Sequence, residues 1–363
     1  MSSNEQQLAP ELVLIGPLPL GDGFDGGTKI SFGILVECWS RIADGPLRVV
    51  STSRAPSKST LVSTARAALT WWKLAVEIFK TTEGSIVVFN VSTSGITSIL
   101  PLVLLVKRIK RGKAILRVFG GDIGVEISRS NLKAKFLKLA VKESNSVYVQ
   151  TKALQKTLVE FGVAKWLPTS RSQITVPIAD IDEQKSLKQK LDICYVGHIN
   201  EDKGIDILMS AVHGLRGVHL YLVGPVTDSK IDPVSADSNV TFLGPISPHS
   251  AVIETIARMD MLVMPSKRAA EGYPGAIIEA FSVGVAVAAT PLPPLRELLD
   301  EGRRGLLLKD FGAQTLREEL NKVMHSPGRL DELKLKSRQS FSDFDAEFVN
   351  RQFYESVLAT GSA

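Results

Sequence analysis

Short apolar runs alternate with amphipathic stretches along most of the chain. Runs rich in Val, Ile and Leu predict buried strands, and apolar residues that recur every three or four positions predict helices. The predicted strands are Leu12–Ile15, Leu47–Val50, Ile86–Phe89, Ala114–Val118, Val147–Val149, Ile174–Val176, Leu191–Val196, Val218–Val223, Val240–Leu243, Met261–Met264, Val285–Ala288 and Gly305–Leu308. The predicted helices are one that begins near Thr28, then Thr64–Phe79, Ser94–Ile109, Ser130–Lys142, Ala153–Phe161, Ile205–Val212, Ser250–Arg258, Pro274–Val283, Leu295–Glu301, Gln314–Met324 and Glu347–Leu358.

This alternation predicts the α/β class, with parallel sheets that carry helices on both faces. It is interrupted by a polar stretch between about Ala179 and Lys190, which we interpret as a linker. We therefore expect two doubly wound domains across a cleft, residues 1–182 and 183–340, and a C-terminal helical segment 341–363 that packs back across their junction. In such sheets ligands bind beyond the carboxyl ends of the strands.

Composition and charge add limits on the class of protein. Of the 363 residues 44% are hydrophobic and 22% are charged, which is typical of globular proteins. The first residues lack a signal-peptide pattern, and the longest apolar run, Ile99–Val106, is far too short to span a bilayer. Cys38 and Cys194, the two cysteines, suggest neither a disulfide framework nor a metal site. The expectation is a cytoplasmic protein.

The two halves of the chain differ in charge. Residues 1–180 contain 23 Lys and Arg against 13 Asp and Glu, whereas the whole chain has a net charge of only +5. The excess is concentrated between Lys107 and Lys142. It suggests that the first domain faces an anionic ligand or the inner face of a membrane as a peripheral protein, although a solvated helix face explains it equally well.

Two glutamates lie on either side of a predicted helix start. Glu271 precedes Pro274, which suits a first helical turn, and Glu279 falls in about the second turn. The free N–H groups around Tyr273 to Ala276 suit a phosphate. Together they favour a ligand with hydroxyls on both sides of a phosphate, such as a nucleotide-sugar. The alternative is a helix-start carboxylate and a solvated surface glutamate.

Other strand ends of the second domain offer phosphate and base contacts. Gly197 ends a predicted strand, and Lys203 begins the following helix, where its ammonium can neutralise a diphosphate. His198 can donate a hydrogen bond to the same phosphates. Gly224 and the turn Gly244–Ile246, which includes Pro245, could frame a nucleobase through backbone groups.

These motifs resemble the retaining family-4 glycosyltransferases (glycosyl transferases group 1) of the GT-B fold, which has two Rossmann-like domains. The resemblance lies in the order Gly197-x5-Lys203-Gly204, Phe242-Leu-Gly244, Pro265-Ser266 and Glu271-Gly-x-Pro274-x4-Glu279, over roughly Leu191 to Lys309. In the first domain only Gly16-Pro-Leu-Pro and the Gly26-Gly27 loop are similar.

The resemblance implies a role for each matching residue. Lys203 and His198 would bind the donor diphosphate, Glu271 would hold hydroxyls of the transferred sugar, and Glu279 would hold the ribose. The backbone of Gly272, Tyr273, Pro274 and Gly275 would cradle sugar and phosphate, Gly27 would close over the diphosphate, and Gly224, Pro245 and Ile246 would meet the base. Lys203, Glu271 and Asp122 are the predicted catalytic residues.

The sequence departs from the family at two positions. His198 stands where an Arg is common, which removes a permanent cation that Lys203, Lys267 or Arg268 could replace. Phe119, in Phe119-Gly-Gly-Asp122, stands where many members have a His. A retaining transfer can still proceed if the leaving phosphate takes the acceptor proton.

No metal or cofactor is expected. Asp180-Ile-Asp182 lies in the predicted linker, and we take its spacing as chance. His213, His219, His249 and His325 have no ligand spacing and are assigned surface or packing roles, and Trp71-Trp72 is more typical of a core than of a sugar platform.

The sequence thus predicts a metal-independent, retaining glycosyltransferase that moves a sugar from a nucleotide-diphosphate sugar to a glycan or lipid-linked glycan in polysaccharide synthesis. No nucleic-acid partner is expected. The alternatives are a nucleotide-sugar epimerase of the same fold and a catalytically silent nucleotide-sugar-binding homologue, the latter because of Phe119 and His198.

Overall fold

The chain forms two compact units, which we describe from a computed structural model. The structure describes residues 9–20, 26–53, 60–173, 190–233, 237–268 and 271–361. One unit falls within residues 1–19, 27–168 and 347–363, and the other within residues 20–26 and 169–346. The predicted linker up to residue 189, the boundary at 182/183 and the predicted strand Ile174–Val176 lie outside the described residues.

The first unit contains a six-stranded parallel sheet in the order β2-β1-β3-β4-β5-β6. Its strands are β1 Leu12–Gly16, β2 Leu47–Ser51, β3 Ile86–Ser92, β4 Lys113–Phe119, β5 Ser146–Val149 and β6 Ala164–Trp166. Its helices are Gly27–Ile42, Thr60–Phe79, Thr93–Arg108, Asp122–Ile127, Leu132–Glu143, Lys152–Leu158 and Ala346–Gly361. The strand order is flavodoxin-like, and the direction of winding changes between β1 and β3.

The second unit contains another six-stranded parallel sheet, in the order β12-β11-β10-β7-β8-β9. Its strands are β7 Leu191–Val196, β8 Val218–Val223, β9 Val240–Gly244, β10 Met261–Met264, β11 Ala286–Ala289 and β12 Leu306–Leu307. Its helices are Ile205–Val212, His249–Ala257, Gly275–Ser282, Pro293–Leu298, Ala313–Met324 and Pro327–Ser340, with short 3₁₀ turns at Glu201–Lys203, Asp300–Gly302 and Phe341–Phe344. This is the Rossmann order, with its switch point between β7 and β10.

The central strands are buried along their whole length, which explains their continuous apolar runs. Every residue of β1, β10 and β11 is buried. Strands covered on both faces need apolar side chains in both directions rather than alternation. The predicted fold class, two parallel-sheet α/β domains, is confirmed.

Two helices and one strand were not predicted, and several predicted helix starts differ from the observed ones. The helices Asp122–Ile127 and Pro327–Ser340 and the strand Ala164–Trp166 are either very short or strongly polar, so their apolar periodicity is weak. Pro274 precedes the helix as its N-cap, with an extended ψ of 124°, instead of occupying its first turn.

The last helix, Ala346–Gly361, packs in the first unit through aromatic side chains. The Trp39 ring lies 5.1 Å from that of Phe353, and its indole N–H donates to the Asn350 carbonyl at 3.0 Å. The Tyr354 hydroxyl accepts from the Asp44 backbone at 3.1 Å. Aromatic burial with satisfied polar atoms anchors this helix firmly. Within the described residues, no helix is long and apolar enough to cross a bilayer.

Candidate functional site in the second unit

Two loops meet at the switch point of the second sheet. One follows β7, the other follows β10, and the Lys267 N–H donates to the Asp202 carbonyl across them at 3.0 Å. Gly204 has a φ of +73°, and a Cβ there would lie 1.9 Å from the Pro265 carbonyl oxygen. Only glycine permits this approach. The close packing brings the side chains of the two loops together.

Lys203 and Glu271 form an ion pair at this junction. The Lys203 Nζ lies 2.6 and 2.7 Å from the two carboxylate oxygens of Glu271. Asn200 fixes the lysine by accepting from its backbone N–H at 3.0 Å, and Ser266 Oγ donates to Glu271 at 3.1 Å. The side chains remain 20% and 11% exposed, so a ligand can reach both charges. Two predicted site residues are thus in direct contact.

Glu279 is buried inside the unit rather than solvated. It lies on the second turn of the helix Gly275–Ser282 and is 3% exposed, so the alternative of a solvated surface residue is wrong. Arg171 Nε donates to its Oε1 at 2.6 Å, and His249 Nε2 lies 3.3 Å from the same oxygen. Burial alone would raise the pKa of Glu279, but Arg171 and His249 outweigh it and hold the pKa at about 2. The carboxylate is therefore ionised at neutral pH.

Arg171 is the main residue that the sequence analysis missed. Its backbone is fixed by hydrogen bonds with the carbonyl of Phe344 and the N–H of Ala346, both at 3.0 Å. Its guanidinium lies against Gly275, where an added Cβ would come within 1.7 Å of Nη2. The arginine thus requires a glycine at position 275. No local pattern around Arg171 signals its partner, which is 108 positions away.

His249 also has a role that was not predicted. It was assigned an ordinary surface or packing role, yet it begins the helix His249–Ala257 and faces Glu279. Its contact with Glu279 depends on the packing of two helices, so it cannot be predicted from the spacing of residues along the chain.

The loop before the helix is held by Tyr273, which is 5% exposed. Its hydroxyl donates to Glu297 at 2.6 Å, and its carbonyl accepts from Thr169 Oγ1 at 3.4 Å. Gly272 and Pro274 are half-buried. Because the Tyr273 ring points inward, this segment can offer a ligand its backbone groups rather than the phenol.

The turn after β7 is supported by Tyr195. Its hydroxyl donates to the carbonyl of His198 at 2.9 Å, while the His198 side chain is exposed. Burial, and then the charge of Glu271, raise the pKa of Tyr195 well above its usual range, so it remains a neutral donor. Lys267, a predicted substitute cation, pairs with Asp206 at 3.0 Å.

The predicted base-contact residues lie at neighbouring strand ends. Gly224 follows β8, its N–H donates to the Gly244 carbonyl at 2.8 Å, and a Cβ on it would lie 2.0 Å from the Gly197 carbonyl. Pro245 is exposed and Ile246 is half-buried. Parallel strands β7, β8 and β9 therefore end in closely spaced glycine turns. The base-binding role of these residues stays a prediction.

The predicted first-unit residues are Gly27, Asp122 and the neighbouring Phe119. Gly27 is the first residue of its helix, and Asp122 begins the helix Asp122–Ile127. Phe119 ends β4, is 7% exposed and has the Arg117 guanidinium 4.9 Å from its ring centroid. A cation–π contact between Arg117 and Phe119 thus occupies the position where many of the similar glycosyltransferases have a histidine. The assigned roles of Gly27 and Asp122 stay predictions.

Metal ligands are a separate question. Among the described residues no group of three His, Cys, Asp or Glu side chains could hold a metal ion. Asp180-Ile-Asp182 lies outside the described residues.

Comparison with known proteins finds a family model that matches part of the chain. Residues 190–326 match the model of the family Glycosyl transferases group 1. An uncharacterised glycosyltransferase of Methanocaldococcus jannaschii is 23% identical over 204 residues, 52% of each chain. WcaL of Salmonella typhimurium, provisionally named a colanic acid biosynthesis glycosyltransferase, is 26% identical over 187 residues, 47% of this chain and 45% of the relative. The chain thus matches about half the length of these curated relatives.

The fold itself is found among solved structures. HepE of Anabaena, crystallised in complex with UDP-glucose, superposes with a TM-score of 0.71 at 18% identity, over 96% of this chain and 99% of that one. At this identity the likeness shows the fold alone. Residues 190–326 are thus similar to the glycosyl transferases group 1 family, and the two parallel-sheet α/β units have the GT-B fold.

Proposed function

We propose that the protein is a retaining, metal-independent glycosyltransferase that takes a sugar from a nucleotide-diphosphate sugar. The observation that carries this proposal is the Lys203–Glu271 pair, at 2.6 Å, at the switch point of a Rossmann-order sheet. Ligands of open α/β sheets bind at this place. A cation for phosphate and a carboxylate for sugar hydroxyls are both present there and partly exposed.

Each charged group has a proposed task. Lys203 exchanges part of its contact with Glu271 for the donor diphosphate, and the released carboxylate oxygens accept hydrogen bonds from hydroxyls of the sugar. Glu279, ionised and held by Arg171, accepts from the ribose hydroxyls. A carboxylate that is already ionised and oriented loses little conformational freedom when a ligand binds.

Backbone groups complete the proposed donor site. The N–H groups of Gly272, Tyr273 and Gly275 lie just before and at the start of the helix Gly275–Ser282, where the helix dipole favours a phosphate. His198 adds a donor from the turn after β7, and the turns at Gly224 and at Pro245–Ile246 contact the base. The exposed or half-buried state of His198, Pro245 and Ile246 supports this assignment.

The proposed mechanism relies on positioning and charge rather than on a protein base. The bond between the sugar anomeric carbon and the phosphate oxygen breaks, and Lys203 stabilises the negative charge of the departing diphosphate. The acceptor hydroxyl attacks from the same face and passes its proton to that phosphate. The buried Phe119 supports this assignment, because its side chain has no group that can titrate.

The acceptor that we propose is a glycan, free or lipid-linked. WcaL carries a name from colanic acid biosynthesis, and HepE was crystallised with UDP-glucose. The HepE complex favours a UDP-sugar as the first donor to test, and the WcaL name favours a polysaccharide as the product.

The function can be tested by a thermal-shift screen of the purified chain against UDP-, GDP- and ADP-sugars, followed by an assay of nucleoside diphosphate release. One donor should raise the melting temperature, because a ligand of the native state stabilises it. That donor should also be turned over, slowly with water and faster with a glycan acceptor. Binding without any release would leave a nucleotide-sugar-binding protein instead, and release with only an epimerised sugar would make it an epimerase.

A further inference from the structure

The helix Leu132–Glu143 has an unusual outward face. Its inward side chains, which include Leu137 and Val141, are buried in the first unit. On the opposite side Leu132, Phe136 and Leu139 are 67%, 42% and 40% exposed. Their spacing of four and three positions places them in one stripe along the helix. An outward stripe is normally polar, so these three side chains need a reason.

Lysines flank this apolar stripe. The helix contains four lysines and one glutamate. Lys135 and Lys142 are exposed, and within the described part of the chain no carboxylate lies at ion-pair distance from either. We call Leu132, Lys135, Phe136, Leu139 and Lys142 the lysine–apolar face.

Neighbouring exposed side chains are also apolar or cationic. The preceding helix, Asp122–Ile127, packs against this one and exposes Val125 at 52%. Arg129, between the two helices, is 54% exposed although it pairs with Glu126 at 2.7 Å. Glu126, at 15%, is largely covered. Cations and apolar groups therefore dominate the accessible part of this surface.

We propose that the lysine–apolar face binds the surface of an anionic lipid bilayer. Helices that lie in the plane of a membrane interface have this composition, with apolar side chains at the acyl boundary and lysines that extend to the lipid phosphates. Each lysine near such a surface adds to the attraction. The helix lies on the bilayer and does not span it, in keeping with its 12 residues.

Charge argues against a second copy of the chain as the occupant. In a two-fold dimer the same patch meets itself, so Lys135 and Lys142 would face the identical lysines of the other copy. Like charges brought together across an interface oppose association. Anionic lipid supplies the complementary charge that the face lacks.

The proposal goes beyond the proposed function and does not depend on it. If both hold, the face would keep the enzyme at the surface where a lipid-linked acceptor resides. Vesicle binding measures the face without donor, acceptor or turnover, so either idea can fail alone.

The test is co-sedimentation of the full chain with phosphatidylcholine vesicles, with and without phosphatidylglycerol. The wild-type protein should sediment only with the anionic vesicles and should be released by salt, which screens exposed charges. The double variants Lys135→Gln/Lys142→Gln and Leu132→Gln/Leu139→Gln should each lower the partition coefficient by about tenfold or more. Unchanged melting curves would show that both variants fold.

A matched control separates this face from total charge. Lys322→Gln/Lys336→Gln also removes two positive charges, but from helices of the second unit, and this variant should bind vesicles as the wild type does. The proposal is overturned if the wild type ignores anionic vesicles, binds neutral ones equally, or loses binding as much in the control variant. It is also overturned if the chain is a dimer that the face variants dissociate.

Discussion

The two units share an architecture but differ in a buried Arg–Glu ion pair of the second unit and in the exposed apolar side chains of the first. Each has six parallel strands, in a flavodoxin-like order in the first unit and a Rossmann order in the second. In the second unit Arg171, Glu279 and the Lys203–Glu271 pair are wholly or largely buried beside the switch point. Among the described residues, most of the large apolar side chains that are exposed belong to the first unit.

This difference predicts two kinds of effect when residues are substituted. Buried charges of the second unit should alter both stability and donor binding when they change. Exposed apolar and basic residues of the first unit should alter binding to surfaces and leave stability nearly unchanged. The shared fold therefore predicts neither donor binding by the second unit nor surface binding by the first. These properties depend on the particular loops and helix faces that each unit carries.

The largest effect should come from the buried ion pair. Arg171→Met should lower the free energy of unfolding by about 3–5 kcal/mol, because it leaves the Glu279 charge buried without its main partner. The double variant Arg171→Met/Glu279→Leu should regain most of that loss. Urea unfolding of the wild type, both single variants and the double variant measures the coupling.

A loss of under about 1 kcal/mol in Arg171→Met, with no recovery in the double variant, would show that this pair contributes like a surface salt bridge. The contrast between the buried ion pair of the second unit and the exposed residues of the first would then disappear.

The next effect concerns catalysis. Lys203→Met should lower the turnover of the donor by about 10²–10³, because the departing diphosphate loses its cation. Its melting temperature should also fall, because Glu271, which is 11% exposed, loses its partner. Release of nucleoside diphosphate measures it, and Lys230→Met, on a lysine that is 71% exposed in the same unit, is the control. Equal turnover in both variants would remove Lys203 from the site.

The acid side of the stability curve should report Glu279. Its pKa is lowered from 4.5 to about 2 in the folded state, chiefly through Arg171 and His249 acting against burial. A carboxylate with a lowered pKa stabilises the fold above its unfolded pKa, and that contribution is lost as the pH falls from about 4.5 to about 2. The contribution should be about 3 kcal/mol.

Urea unfolding at several pH values, with Arg171→Met/Glu279→Leu as the reference, isolates this effect from the other carboxylates. The difference in unfolding free energy between the two proteins should shift by that amount across the window. A constant difference would mean that Glu279 titrates normally.

Two glycines near helix starts offer a smaller contrast. Gly275→Ala should lower the unfolding free energy by about 1–3 kcal/mol, because its Cβ would meet the Arg171 guanidinium at 1.7 Å. Gly328→Ala, where nothing lies within 4 Å, should leave it unchanged or raise it by up to about 1 kcal/mol. Thermal unfolding distinguishes them, and equal shifts would show that the arginine moves aside freely.

The smallest effect should come from the first unit. Leu132→Gln should change the unfolding free energy by no more than about 0.5 kcal/mol, since the side chain is 67% exposed. A larger loss would indicate that this residue packs against protein, and the lysine–apolar face would then need another explanation.

Periodicity predicted most of the fold because the sheets are buried on both faces. Strands such as Leu191–Val196 and Met261–Met264 have the predicted bounds, since their apolar runs are continuous and end at a turn. The polar helix Pro327–Ser340 was not predicted because only a few of its residues, among them Leu333 and Ser337, are buried.

The candidate site was predictable only in its local part. Lys203, Glu271 and Glu279 occur in motifs with fixed spacing, and the direct Lys203–Glu271 contact follows from the meeting of two strand ends. Arg171 and His249 contact Glu279 from distant segments, so no window of sequence could reveal them. For the same reason, the sequence does not reveal that a glycine is required at position 275 to leave room for Arg171.

The most direct test of the central claim is calorimetric titration of the wild type and of Lys203→Met with UDP, GDP and ADP. We predict that the wild type binds one of these diphosphates and that Lys203→Met, although folded, binds it at least about tenfold more weakly, since a partly buried charge-assisted contact is lost. Equal affinity in the two proteins, or no binding of any of the three by the wild type, would contradict a donor site at the switch point of the second unit.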